Sequence, residues 1–207
     1  MIELAVAMPL MLIVMGGLVI MLTTITHWSS QTQEETTLQT EARSAMNTLE
    51  SDIRGAFIGD GTDPIIAATA TSMTFYTPDE SATTVVGATE SSFHLLKVSY
   101  NVTGGTLQRQ FMTSTNTYPT APPWTWPGSM SPWTTVIGQS GSITDASVFT
   151  YYTAAGAQAT PPTALTFPIA DTSGIRAVGI KLTLSSGGSQ PEKFTVSDVV
   201  ALREMDN

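Results

Sequence analysis

The sequence predicts an α+β fold, with a long kinked N-terminal helix packed on an antiparallel β-rich head domain. Three observations predict it. Leu4 to Leu22 is a run of nineteen residues with no charged or polar side chain. Apolar residues then recur at steps of three and four as far as Phe57, which is the helical period. Beyond Gly59 the period changes to two, in segments rich in β-branched and aromatic residues. The chain therefore divides into 1–58, an N-terminal helix, and 59–207, a head domain of ordinary size.

Within the helix, residues 1–28 are the apolar part. At a rise of about 1.5 Å per residue the run is long enough to cross the hydrocarbon of a bilayer. Thr23 to Trp28, with His27 among them, form a polar and aromatic border suited to a lipid–water interface. Residues 29–58 are amphipathic. Leu38, Ala42, Ala45, Met46, Leu49, Ile53, Ala56 and Phe57 mark one buried stripe, with Glu34, Glu35, Arg43, Glu50 and Asp52 on the wetter side. Gly59, Asp60 and Gly61 supply a stop. A continuous helix over 2–58 spans roughly 85 Å.

Three features of the apolar half need a physical account. Pro9 lacks an N–H and collides with the carbonyl one turn back, so a kink or opening is expected there. Gly16 and Gly17 weaken the helix by about 1 kcal/mol each relative to alanine, and their small size also allows close approach of another helix. Glu3 heads the run; a lone carboxylate at the membrane centre costs roughly 2.5–3.5 kcal/mol, so it calls for a partner. The first cation is Arg43, far beyond the run, and no basic residue precedes it. A signal peptide or an ordinary signal anchor has basic flanks, so the chain reads as a product whose basic leader has been removed.

In the head, strands are expected near 72–77, 92–102, 105–112, 147–153, 175–185 and 193–203. Val178, Ile180, Leu182 and Leu184 share one face of the fifth; Phe194, Val196, Val200 and Leu202 share one face of the last, interrupted by Asp198. Gly104-Gly105 suits a hairpin between the second and third strands, and 185–189 a connection between the last two. A sheet laid over the helix stripe buries both apolar faces. Tyr118 to Trp133 stands apart, with five prolines and the tryptophans Trp124, Trp126 and Trp133. Such a stiffened aromatic loop serves either packing, within the domain or against a neighbouring subunit, or surface recognition.

Composition excludes several function classes. A net charge of −9 with only eight Lys and Arg leaves no basic face, so no direct nucleic-acid binding is expected. There is no cysteine, hence no disulfide, thiolate metal site or thiol nucleophile. His27 and His94 stand alone, without metal-ligand spacing. Asp60-Gly61-Thr62-Asp63 could offer oxygens to calcium but lacks an EF-hand pattern and reads better as a helix stop and turn. No serine sits in a GxSxG elbow. No enzyme activity, catalytic residue, metal or cofactor is expected. Asn101-Val102-Thr103 is a candidate N-glycosylation sequon, with a strand end entering a turn as its plain reading.

Ile2-Glu3-Leu4-Ala5-Val6-Ala7-Met8 resembles the start of the type IV pilin class, whose mature chains open on a short stretch ending in Ile-Glu-Leu before a long apolar helix. Arg43 to Arg54 is similar to the amphipathic half of that helix in pseudopilins and minor pilins of the W and J kinds. Ile175 to Leu182 and Val199 to Arg203 resemble their closing strands. The class usually places its glutamate fifth; here it is third. The spacing of Glu3, Pro9 and Gly16 is also similar to small pilin-like proteins of tight-adherence systems.

The resemblance implies processing by a prepilin peptidase, with methylation of the new N-terminus, here Met1. It implies that Glu3 neutralises the amine of an adjacent subunit as copies pack head to tail into a helical filament, driven by a dedicated assembly machine. The expected history is a single pass in the cytoplasmic membrane and then an extracellular pilus. A type II secretion pseudopilin or a minor pilin is the next reading. A single-pass anchored protein binding carbohydrate through the Trp/Pro loop is the alternative from another class.

Overall fold

Helix α1 (Ile2–Arg54) is one element of 53 residues, roughly 80 Å long. In this computed structural model the described residues are 2–56, 63–79, 84–86, 90–118, 123–138, 140–153, 164–187 and 191–202, the side chains of 2–9, 84–86 and 90–92 lying outside that set. The helix runs through Pro9, Gly16 and Gly17 without a break. Its many threonines are poor helix formers, yet each hydroxyl finds a carbonyl of the preceding turn. Thr32 donates to Trp28 O at 2.9 Å, Thr36 to Thr32 O at 2.8 Å and Thr40 to Thr36 O at 2.8 Å.

The helix ends at Arg54, four residues before the expected end at residue 58. The Gly55 N–H still donates to Ser51 O at 3.1 Å, but the Ala56 N–H turns to Ile53 O at 3.0 Å, the tightened closure typical of a helix terminus. A Cβ on Gly55 would stand 2.7 Å from Thr77 Oγ1, so a larger residue there would have to displace the Thr77 side chain. Gly59, Asp60 and Gly61, the expected stop, lie outside the described residues.

The strands are β1 (Ile65–Ala68), β2 (Ser72–Pro78), β3 (Thr84–Val86), β4 (Glu90–Ser92), β5 (His94–Thr103), β6 (Thr106–Thr117), β7 (Thr134–Ile137), β8 (Ser142–Ile143), β9 (Phe149–Tyr152), β10 (Ala177–Ser185) and β11 (Lys193–Ala201). An antiparallel five-stranded sheet has the order β1-β2-β5-β6-β7. In a second sheet β10 pairs β11 on one side, and β8 and β9 on the other. Strands β3 and β4 pair with each other. The β5–β6 turn holds Gly104 at φ 57° and Gly105 at φ 78°, between the paired Thr103 and Thr106. Two successive positive φ values match the twist of a two-residue hairpin, which is why both positions are glycine.

The amphipathic half of α1 is the centre of the core. Leu38, Ala42, Leu49 and Ile53 are essentially fully buried. They join Val98, Tyr100 and Leu107 from the first sheet and Val178, Ile180, Leu182 and Leu184 from the second. The helix stripe is therefore covered by two sheets, where a single sheet was expected. The two-residue strand β8, too short to mark itself in the sequence, joins β9, β10 and β11 in the second sheet beside the first. Asp52 is also corrected. Instead of lying on the wet side, it accepts hydrogen bonds from the Tyr100 hydroxyl at 2.7 Å and the Arg109 Nε at 2.9 Å. Glu41 makes a second polar tie, accepting from the Gly138 N–H at 2.9 Å and the Ser140 N–H at 3.1 Å.

Candidate functional site

The feature that calls for a function is the other half of α1. From Leu10 to Leu22 every side chain is exposed: Leu12 is 71 % accessible and Ile13 72 %, against 1 % for Leu38 on the same helix. Trp28, at the end of the apolar part, is 72 % accessible. A contiguous apolar surface of this length is far beyond what a soluble monomer leaves bare, and its place is against lipid or another apolar surface. The helix is long and apolar enough to cross a membrane.

Local chemistry suits such an environment. At the border the Thr23 hydroxyl donates to Val19 O at 3.1 Å and Ile20 O at 2.9 Å, and Thr24 to Ile20 O at 2.8 Å. Thr26 donates to Leu22 O at 3.0 Å and Thr23 O at 2.9 Å. These hydroxyls are satisfied within the helix, so they add little desolvation cost if the surface is covered. A Cβ at Gly16 or Gly17 would meet nothing within 4 Å. Both glycines thus leave a shallow, open notch in the apolar surface, where a neighbouring helix could approach closely.

The predicted site residues fall in three places. Glu3 and Pro9 lie in the helical backbone of α1, with side chains outside the described set, and Met1 lies outside the described residues. Gly16 and Gly17 lie on the exposed half of the same helix. The tryptophans belong to the head, where they divide between two roles. Trp124 is 8 % accessible and, with Tyr76 and Leu95, forms a small second core against which Phe93 and Trp126 pack. Its indole N–H has no acceptor among the described residues. Trp126 stacks on Tyr76 with ring centroids 5.4 Å apart. Trp133 is 42 % accessible.

The loop is held to its own preceding strand. The Thr115 N–H donates to Thr125 O at 2.8 Å, the Asn116 Nδ2 to Pro123 O at 2.9 Å, and the Thr125 N–H to Asn116 Oδ1 at 2.9 Å. Asn101 lies in β5 opposite Gln108, half-buried just before the hairpin turn, as the plain reading of its sequon had it. His94 lies on a strand, its Nδ1 2.9 Å from Ser114 O. Among the described residues no group of three or more His, Asp and Glu could hold a metal ion.

Residues missed by sequence reasoning are those that fasten the helix to the head: Glu41, Tyr100 and Arg109, with Asp52 misplaced. Burial, then the Asp52 charge and hydrogen bond, raise the Tyr100 phenol far above its ordinary value. Burial alone would lower the Arg109 guanidinium, but Asp52 more than offsets it and the net direction is up. The only available signal was position. Asp52 and Glu41 each adjoin a stripe residue, Ile53 and Ala42, and so lie on the margin of the buried face.

Comparison with known protein families, curated proteins and solved structures yields no match.

Proposed function

We propose that this chain is a structural subunit of an extracellular type IV pilus-like filament. It would reside as a single-pass protein in the cytoplasmic membrane before assembly and then join other copies by helix bundling. The observation that supports this reading is the division of α1: one helix whose C-terminal half is the core of the head and whose apolar N-terminal half is bare. Lipid covers that surface in the membrane; neighbouring copies cover it in a filament. Head-to-tail contacts between copies that do not close on themselves generate an open helical fibre.

In this reading Glu3 pairs with the N-terminal amine of an adjacent copy, replacing a lone buried charge by a pair. Removing one partner of such a pair costs about 3–5 kcal/mol. Glu3→Ala and Glu3→Gln should therefore leave the chain in the membrane fraction and abolish filaments in sheared surface preparations viewed by electron microscopy. Filaments of normal abundance from both variants would reject the role. The amount of wild-type chain in the sheared fraction separates a shaft subunit from a minor pilin or secretion pseudopilin. The carbohydrate-binding alternative is less well supported, because Trp124 and Trp126 are engaged in packing.

A further inference from the structure

Strand β6 has 12 residues, and β7, its outer neighbour, has only 4, paired with Leu107 to Arg109. Among the described residues no strand lies beside the outer edge of β6 from Gln110 to Thr117. The segment 123–133 fills that place. The Phe111 N–H donates to Ser131 Oγ at 2.9 Å, and the Phe111 carbonyl accepts from the Ser131 N–H at 2.8 Å. Backbone directions alternate along a strand, so an outward Phe111 sets Gln110 and Met112 toward β5. Further on, the Thr115 N–H donates to Thr125 O, and the Asn116 amide grips Pro123 O and the Thr125 N–H. The segment is also fastened over the face of the sheet that α1 does not occupy. Trp124 packs there with Tyr76 and Leu95, and Trp126 stacks on Tyr76, the neighbour of the core residue Phe75.

We propose that residues 123–133 are a masking strap that occupies the pairing edge of β6 and keeps it from pairing with β6 of a second copy. A bare row of N–H and C=O groups on a sheet edge is a template for another chain. The strap satisfies that row at Phe111 and Thr115 with groups of its own. Its composition explains why it ends the sheet instead of extending it. Pro123, Pro127 and Pro132 have no N–H, so the strap caps one edge without presenting another.

The partner excluded is a second copy because of what the masked stretch is made of. Gln110-Phe111-Met112-Thr113-Ser114-Thr115-Asn116-Thr117 contains no charge, no proline and no glycine, and three of its residues are threonine. That is the composition of a segment that pairs readily with itself, and nothing in it repels an identical strand. Two such edges meeting antiparallel about a two-fold axis would place the same groups opposite each other from both sides. The strap therefore protects against association through the heads. It is independent of the filament reading, in which copies join through α1.

The test uses the full chain in detergent micelles and follows amide hydrogen exchange residue by residue. In the wild-type chain Phe111 and Thr115 should be protected at every protein concentration. Two variants loosen the strap by different routes: Asn116→Ala with Ser131→Ala removes hydrogen bonds, and Trp126→Ala removes the stack on Tyr76. In both, Phe111 and Thr115 should exchange roughly tenfold faster in dilute protein, the scale of one or two lost hydrogen bonds. Gln110 and Met112, bonded toward β5, should stay protected and so report that the sheet is intact. Raising the protein concentration at fixed detergent excess should restore the protection of Phe111 and Thr115, as a second β6 fills the opened edge. Association through the apolar half of α1 leaves those amides as they are. Wild-type Phe111 and Thr115 exchanging as fast as an exposed loop would overturn the proposal without any variant having to fold. Protection unchanged in both variants, or lost and restored at no concentration, would overturn it equally.

Discussion

Asp52, Tyr100 and Arg109 show how one carboxylate can join a helix to a sheet. Asp52 accepts from both partners, and the resulting contact is only about one-fifth accessible on each side of the ion pair. The phenol of Tyr100 is fully buried, and so is that of Tyr151, which donates to Thr69 O at 3.1 Å and Ser72 O at 3.2 Å. Burial is the first cause of the raised value at both. Each phenol therefore keeps its proton in the fold at a pH where the unfolded chain, near 10, begins to lose it. Their contribution to stability should be complete below pH 10 and decline as pH rises beyond it. A phenolate absorbance titration should show Tyr100 and Tyr151 silent until the head unfolds, so Tyr100→Phe and Tyr151→Phe should each lower the number of silent tyrosines by one. An unchanged number of silent tyrosines in both variants would contradict the assignment.

At the scale of elements, α1 is two helices in function and one in backbone. Leu49 is fully buried and Leu18 is 54 % accessible. Leu49→Ala should lower the unfolding free energy of the head by about 2–5 kcal/mol, whereas Leu18→Ala should leave it unchanged in denaturant titrations. Both halves of the helix were legible in the sequence, because an unbroken apolar run and a period of three to four are strong signals. So were the hairpin at Gly104-Gly105 and strands β2, β5, β6, β9, β10 and β11, whose β-branched residues alternate over useful lengths. Strands β1, β7 and β8 were not legible. Ile65–Ala68 and Ser142–Ile143 are too short to show a period, and Thr134–Ile137 follows a proline-rich loop that conceals its start. The second sheet was missed with them. The polar ties of Glu41 and Asp52 were missed for another reason: their partners lie tens of residues away, and an acid beside an apolar stripe looks the same whether water or a sheet faces it.

For the whole molecule, the head and the bare apolar segment should be separable. The core is assembled from Leu38 onward with residues of the two sheets, and residues 10–28 add no side chain to it. Removing residues 2–27 should give a head with an unchanged urea midpoint that no longer partitions into detergent; a collapsed or aggregated product would show that the apolar segment supports the fold. The same geometry dictates how force would travel. Because α1 continues unbroken into the core and is flanked by sheets on its buried side, a pull along its axis would load the head contacts in shear. Many side-chain contacts and the ties at Glu41 and Asp52 would have to yield together, rather than peel apart one by one. Mechanical toughness in this chain thus resides in the helix embedded within its head, and a strain gauge placed at residue 30 would read the load before any strand felt it.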